Sequence, residues 1–111
     1  MLGAVALVAQ CIGLYGPPAP SIGTGLPVDK IGHVVGFAVP VALFLAAGIR
    51  WWLVVTLAFV QAVVSEVVQG LFLADRSGDV LDLLADLIGI GCGLGIGLLT
   101  HRLRTRVRLT D

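Results

Sequence analysis

The chain has 111 residues, room for one domain. Hydrophobic residues make up 58% of it and charged residues only 13%, against roughly 25% charged in a soluble domain, so a globule this small could not hide its apolar surface in one core. Seven basic and seven acidic residues cancel, which argues against a nucleic-acid or other polyanionic partner and leaves a lipid bilayer as the solvent for the excess apolar surface.

A membrane-crossing helix takes roughly 20 mostly apolar residues, and four segments qualify, the first marginally. It runs from Leu2 to Tyr15 and stops at Pro17 and Pro18. No basic residues precede it, and the Pro/Ala run that follows is a poor cleavage site, so a retained helix is expected rather than a removed signal peptide. The Pro/Gly-rich stretch 16–27 is expected as the longer loop, lying over the bundle or along the headgroups. The second span is expected over 31–49, the third over 51–73 and the fourth over 80–99. The expected fold is all-α, a transmembrane four-helix bundle over 1–100 with a basic cytoplasmic tail over 101–111. Cys11 and Cys92 both fall inside apolar runs with no zinc-like spacing and read as small packing residues.

Lys and Arg set the expected orientation. Arg50 lies between the second and third spans, and Arg102, Arg104, Arg106 and Arg108 crowd the C-terminal tail. With alternating spans these fall on one side, which the positive-inside rule makes cytoplasmic, along with both termini. Trp51 and Trp52 then lie at the inner interface. The arginine tail reads as a topology anchor touching anionic lipids. It has no interleaved aromatics to stack on bases.

The polar residues within the spans all gather toward the other side. Asp29 and His33 are four apart at the start of the second helix, with Gly32, Gly36 and Pro40 on the same stripe. Ser65, Glu66 and Gln69 lie near the end of the third, with Ala58 and Ala62 extending that face inward. Asp79, Asp82 and Asp86 step by three and four into the fourth helix, a spacing that keeps them on one face. That face continues through Gly89, Gly93 and Gly97, a small-residue packing surface. Gly91 and Gly95 repeat the spacing on the adjoining face, as if for a second close neighbour. Alternation brings all three polar ends together. An ionised carboxylate facing lipid near the bilayer centre costs about 2.5–3.5 kcal/mol, so Glu66, Asp82 and Asp86 are expected to turn inward toward Lys30, His33 and Arg76. Asp79 and Asp29 equally suit helix starts as capping acids, and Gln61, deeper still, reads as interhelical glue.

Three short elements carry a family resemblance. Asp29, Lys30 and His33 stand as Asp-Lys-x-x-His, Glu66 and Gln69 as Glu-x-x-Gln, and Arg76, Asp79 and Asp82 as Arg-x-x-Asp-x-x-Asp, followed by a glycine-rich helix. In this order the chain resembles the VanZ-like family of small bacterial membrane proteins over nearly its whole length. Asp86 stands where that family usually has asparagine. The resemblance implies the cell envelope as the setting and reduced susceptibility to the glycopeptide teicoplanin as a family association.

The expected role is an extracytoplasmic polar pocket made of Asp29, Lys30, His33, Glu66, Gln69, Arg76, Asp79, Asp82 and Asp86. It would bind a lipid-linked or headgroup ligand without a cofactor or a resident metal. The alternative is an interfacial enzyme in which His33 pairs with Asp29 or Glu66 as acid and base, or in which the carboxylates hold a divalent ion. No nucleophile motif supports that chemistry. Ion passage is disfavoured because the inner half of the bundle is dry, and a network that only fixes helix register stays open, as does assembly of several copies.

Overall fold

The computed structural model describes residues 1–15, 28–72 and 80–110, apart from the side chains of Val28 and Asp29. The loop expected over 16–27 lies outside the described residues. Four helices follow in order: α1 (Leu2–Tyr15), α2 (Val28–Ala46), α3 (Trp51–Phe72) and α4 (Val80–Thr110). There is no strand among the described residues.

α2 starts three residues earlier than expected and ends three earlier, although the apolar run continues to Ile49. Its end is set by Gly48, whose φ of 90° lies in the left-handed region that glycine occupies without steric cost. Ile49 N–H donates to the Phe44 carbonyl and Gly48 N–H to that of Leu45, the paired bonds that close a helix in a Schellman motif. α3 begins at Trp51 as expected. Its expected last residue, Leu73, lies outside the described residues. α4 does not stop at Leu99: it continues through the arginines to Thr110, 31 residues in all. At 1.5 Å per residue that is about 46 Å, against a hydrocarbon layer of about 30 Å. Arginine is a good helix former, so the change from apolar to basic marks a change of surroundings rather than the end of the helix.

Contacts fix the direction of each helix. Cβ atoms added at Gly89, Gly93 and Gly97 of α4 would strike Val34, Ala38 and Ala42 of α2 in turn. Both series ascend by four, so α2 and α4 run parallel. Gly3 meets Phe44 while Gln10 reaches Gly36, so α1 runs antiparallel to α2. α3 starts beside the end of α2 and brings Glu66 back to His33 near the start of α2, so the four helices alternate up and down, and α2 packs most extensively against α4.

The α2–α4 seam is a backbone contact. A Cβ on Gly93 would lie 2.5 Å from the Ala38 carbonyl oxygen and 2.9 Å from Val41 Cβ, and one on Gly97 would lie 2.6 Å from Leu45 Cβ. These are separations that only glycine permits, and they give the two helices dispersion contact along their length. Phe37, Val41, Leu45 and Ile90 form the apolar core, joined by Leu14, Val54 and Ala62. Two expectations fail here. Gly32 is exposed rather than on the packed stripe, because α2 turns His33, Phe37, Pro40 and Val41 inward. Gly91 and Gly95 have nothing within 4 Å, and Cys92 beside them is exposed, so that face of α4 has no neighbour among the described residues.

Polarity is inverted relative to a water-soluble bundle. Gln10, His33, Ser65, Glu66, Gln69, Asp82 and Asp86 are buried, while Val35, Leu57, Phe59, Leu71, Ile88 and Ile96 are among the exposed apolar residues. Water would penalise that surface and lipid would not. α3 and α4 are each long and apolar enough to cross a membrane; α1 and the stretch Lys30–Ala46 are apolar but shorter.

Candidate functional site

The polar residues of α2, α3 and α4 meet at one end of the bundle, and His33 is their centre. It sits one turn into α2, on the face turned to α4, and is 6% exposed. Its Nδ1 lies 2.6 Å from Asp86 Oδ1 and 4.0 Å from Glu66 Oε1. Its Nε2 lies 3.8 Å from Asp82 Oδ2. Asp82 in turn is ion-paired with Lys30. Three helices thus supply five ionisable groups to one buried site, and both ring nitrogens of the imidazole face carboxylates.

The close approach of α2 and α4 makes this possible. Lys30 and His33 on α2 match Asp82 and Asp86 on α4 in the same parallel register as Val34 and Ala38 against Gly89 and Gly93. Asp86 has no exposed surface, and a carboxylate there would be costly without a hydrogen-bonded partner. Among the described residues the carboxylate nearest to His33 is that of Asp86. Glu66, expected in that role, stands farther off, and the side chain of Asp29 lies outside the described residues. Arg76 and Asp79 also lie outside them.

Gln69 is buried, but its Nε2 donates to the Leu14 carbonyl at 2.7 Å. That carbonyl is in the last turn of α1 and has no partner within the helix, so Gln69 ties α3 to the end of α1. Ser65 donates to the Ala62 carbonyl at 2.9 Å, a bond within its own helix. Gln61 joins α3 to α1 by accepting from Tyr15 Oη at 3.3 Å and donating to Cys11 Sγ at 3.6 Å.

One polar residue escaped the sequence reading. Gln10 of α1 is buried, and its Nε2 donates to the Gly36 carbonyl at 2.9 Å. Pro40 lies four residues after Gly36, inside α2, and has no N–H to give that carbonyl. Gln10 supplies the missing donor from a neighbouring helix. The available signal was a proline inside an apolar helix together with a glutamine in another, a combination that spacing rules do not join.

Beside the cluster, an open apolar groove of about 370 Å³ lies between α2 and α4, lined by Lys30, Ile31, Val34, Leu81, Leu84 and Ile88. Donor atoms of His33, Glu66 and Asp86 lie within 4.8 Å of one another.

A family model described as VanZ/LLP1 matches residues 4–101. No curated protein and no solved structure gives a match. The chain belongs to the VanZ/LLP1 family.

Proposed function

We propose that this VanZ/LLP1-family chain is a bacterial envelope protein that holds the phosphate-bearing head of a lipid, or of a lipid-linked envelope precursor, at an outward-facing polar pocket. By doing so it lowers susceptibility to glycopeptides such as teicoplanin. Lys30 carries the reading. Its ammonium is tied to Asp82, its side chain is 33% exposed, and it lines an apolar groove. A lysine ammonium held among carboxylates and part-exposed beside an apolar groove suits a phosphate oxygen, and the groove suits the chain of the same molecule.

In this reading 1–100 forms a four-span membrane domain with both termini cytoplasmic, and the helical tail 101–111 meets anionic lipids. The side chain of His101 lies beside Gly48, so Arg50 and the tail arginines share the end of the bundle opposite the cluster. That asymmetry favours a cytoplasmic tail. A second reading, an interfacial enzyme, draws on the 2.6 Å contact between His33 and Asp86, a spacing suited to an oriented acid–base pair. Turnover of lipid by the purified protein would favour it over simple binding.

The test pairs binding with phenotype. Protein in nanodiscs is titrated with a polyprenyl phosphate, and a susceptible host expressing the chain is challenged with teicoplanin. Lys30→Gln and Arg76→Gln are expected to weaken binding at least tenfold and to remove the protection. Binding by both variants at wild-type strength, with no effect of the protein on susceptibility, would end the proposal.

A further inference from the structure

We propose that His33, Glu66 and Asp86 bind one divalent transition-metal cation, of the zinc or manganese kind. This goes beyond the headgroup reading and does not depend on it. The three donors come from three different helices, and all three side chains are buried.

The spacing of the donors suits such a cation. Imidazole and carboxylate donors sit about 2.0–2.2 Å from such an ion, which places them about 3–3.5 Å from one another. The separations of 2.6 Å from His33 to Asp86 and 4.0 Å from His33 to Glu66 bracket that range. Loading an ion would move the His33 and Asp86 donors apart and bring Glu66 closer, all three donors lying within 4.8 Å of one another already.

The far side of the ring has the surroundings of a metal ligand as well. A histidine that ligates a metal through one nitrogen keeps its other N–H on a carboxylate or carbonyl, which fixes the tautomer and the ring plane. His33 directs Nδ1 at Glu66 and Asp86 and has Asp82 Oδ2 at 3.8 Å from Nε2, which is ion-pair rather than hydrogen-bond range, so a small ring shift would complete that bond. Asp82 is itself held by Lys30. A pair that only locked helix register would not need this ordered chain from Lys30 through Asp82 to His33.

Charge balance points the same way. Among the described residues, three carboxylates face one ammonium and one imidazole. A dication on neutral His33, Glu66 and Asp86 is neutral with these three ligands, and the Lys30–Asp82 pair is neutral too, which favours such an ion among buried carboxylates. The mixed nitrogen and oxygen donor set fits zinc or manganese better than magnesium or calcium, which favour all-oxygen sites. Three protein ligands leave a position open, and a phosphate oxygen of the groove's occupant could take it.

The experiment uses the whole chain in detergent, stripped with chelator and titrated separately with Zn²⁺ and Mn²⁺, the bound metal being counted by mass spectrometry. One ion per chain at low-micromolar affinity is expected. Asp86→Asn keeps the side-chain shape and is expected to weaken binding at least tenfold, whereas Asp82→Asn, acting through the ring's other nitrogen, weakens it about 10–100-fold. Cys92→Ser and His101→Ala leave it unchanged. X-ray absorption of the loaded wild-type protein requires no variant to fold, and should show a nitrogen and oxygen shell at about 2.0–2.1 Å without sulfur. Absence of stoichiometric metal, a sulfur shell, or wild-type affinity in both Asp86→Asn and Glu66→Gln would overturn the proposal. Absence of stoichiometric metal while polyprenyl phosphate still binds would sink this inference alone.

Discussion

α4 and α1 both pack against α2, and they do so by different physics. The α2–α4 seam is backbone on backbone, with Gly89, Gly93 and Gly97 set against Val34, Ala38 and Ala42. Its polar end is closed by Lys30–Asp82 and His33–Asp86. α1 has few buried residues, namely Gly3, Gln10 and Leu14, and is stitched on by glutamines whose partners are main-chain carbonyls. In lipid there is little hydrophobic force between helices, so each seam needs another source of cohesion. One uses shape along its length and the other uses a few well-placed hydrogen bonds. A distributed seam fails when its spacing is spoiled. A stitched one fails bond by bond.

The largest effect should come from spoiling the spacing. Gly89→Ala places a Cβ against the Val34 carbonyl oxygen, with Phe37 Cβ at 3.1 Å. The first of these is main chain and cannot rotate away, so the helices must separate. Overpacking of this kind costs about 1–3 kcal/mol, and the upper end is expected because the His33–Asp86 contact one turn away opens with it. Unfolding in mixed micelles measures the loss. Stability equal to wild type would mean that α2 and α4 are not in backbone contact at Gly89.

The α2–α4 seam was largely legible in the sequence. Gly89, Gly93 and Gly97 share a face at spacing four, and Asp82 and Asp86 continue it, so helix periodicity placed them together. Spacing says which residues share a face but not what covers it. Gly91 and Gly95 have the same spacing and meet nothing among the described residues. Nor does spacing give distances across helices: that His33 sits against Asp86 rather than Glu66 follows from the close approach that glycine allows. The end of α2 was misplaced because the apolar run passes through Gly48, and only the backbone conformation there breaks the helix. The attachment of α1 was scarcely legible. A single glutamine has no period, and the carbonyl it serves is orphaned by a proline in another helix.

A smaller effect tests the stitching. Gln10→Ala removes the donor to the Gly36 carbonyl and should cost about 1–2 kcal/mol, the range for leaving one buried acceptor unsatisfied. In a Pro40→Ala background the backbone N–H at position 40 can serve that carbonyl, so the same change should cost under about 0.5 kcal/mol, a coupling that a double-mutant cycle reads directly. Equal costs in the two backgrounds would show that Gln10 does not act through the carbonyl freed by Pro40.

The smallest effect separates the two faces of α4. Alanine at Gly91 or Gly95 meets no atom within 4 Å, and alanine favours a helix over glycine by about 0.8–1.0 kcal/mol in water. Both variants should therefore be neutral or slightly stabilising, in contrast to Gly89→Ala on the same helix. The contrast depends on lipid covering that face. If a second copy packs there through its own small residues, Gly91→Ala would weaken self-association and lower stability at high protein-to-detergent ratio while leaving dilute protein unaffected. A concentration-dependent loss would thus turn this face from a lipid-exposed one into a seam like the first, built between chains rather than within one.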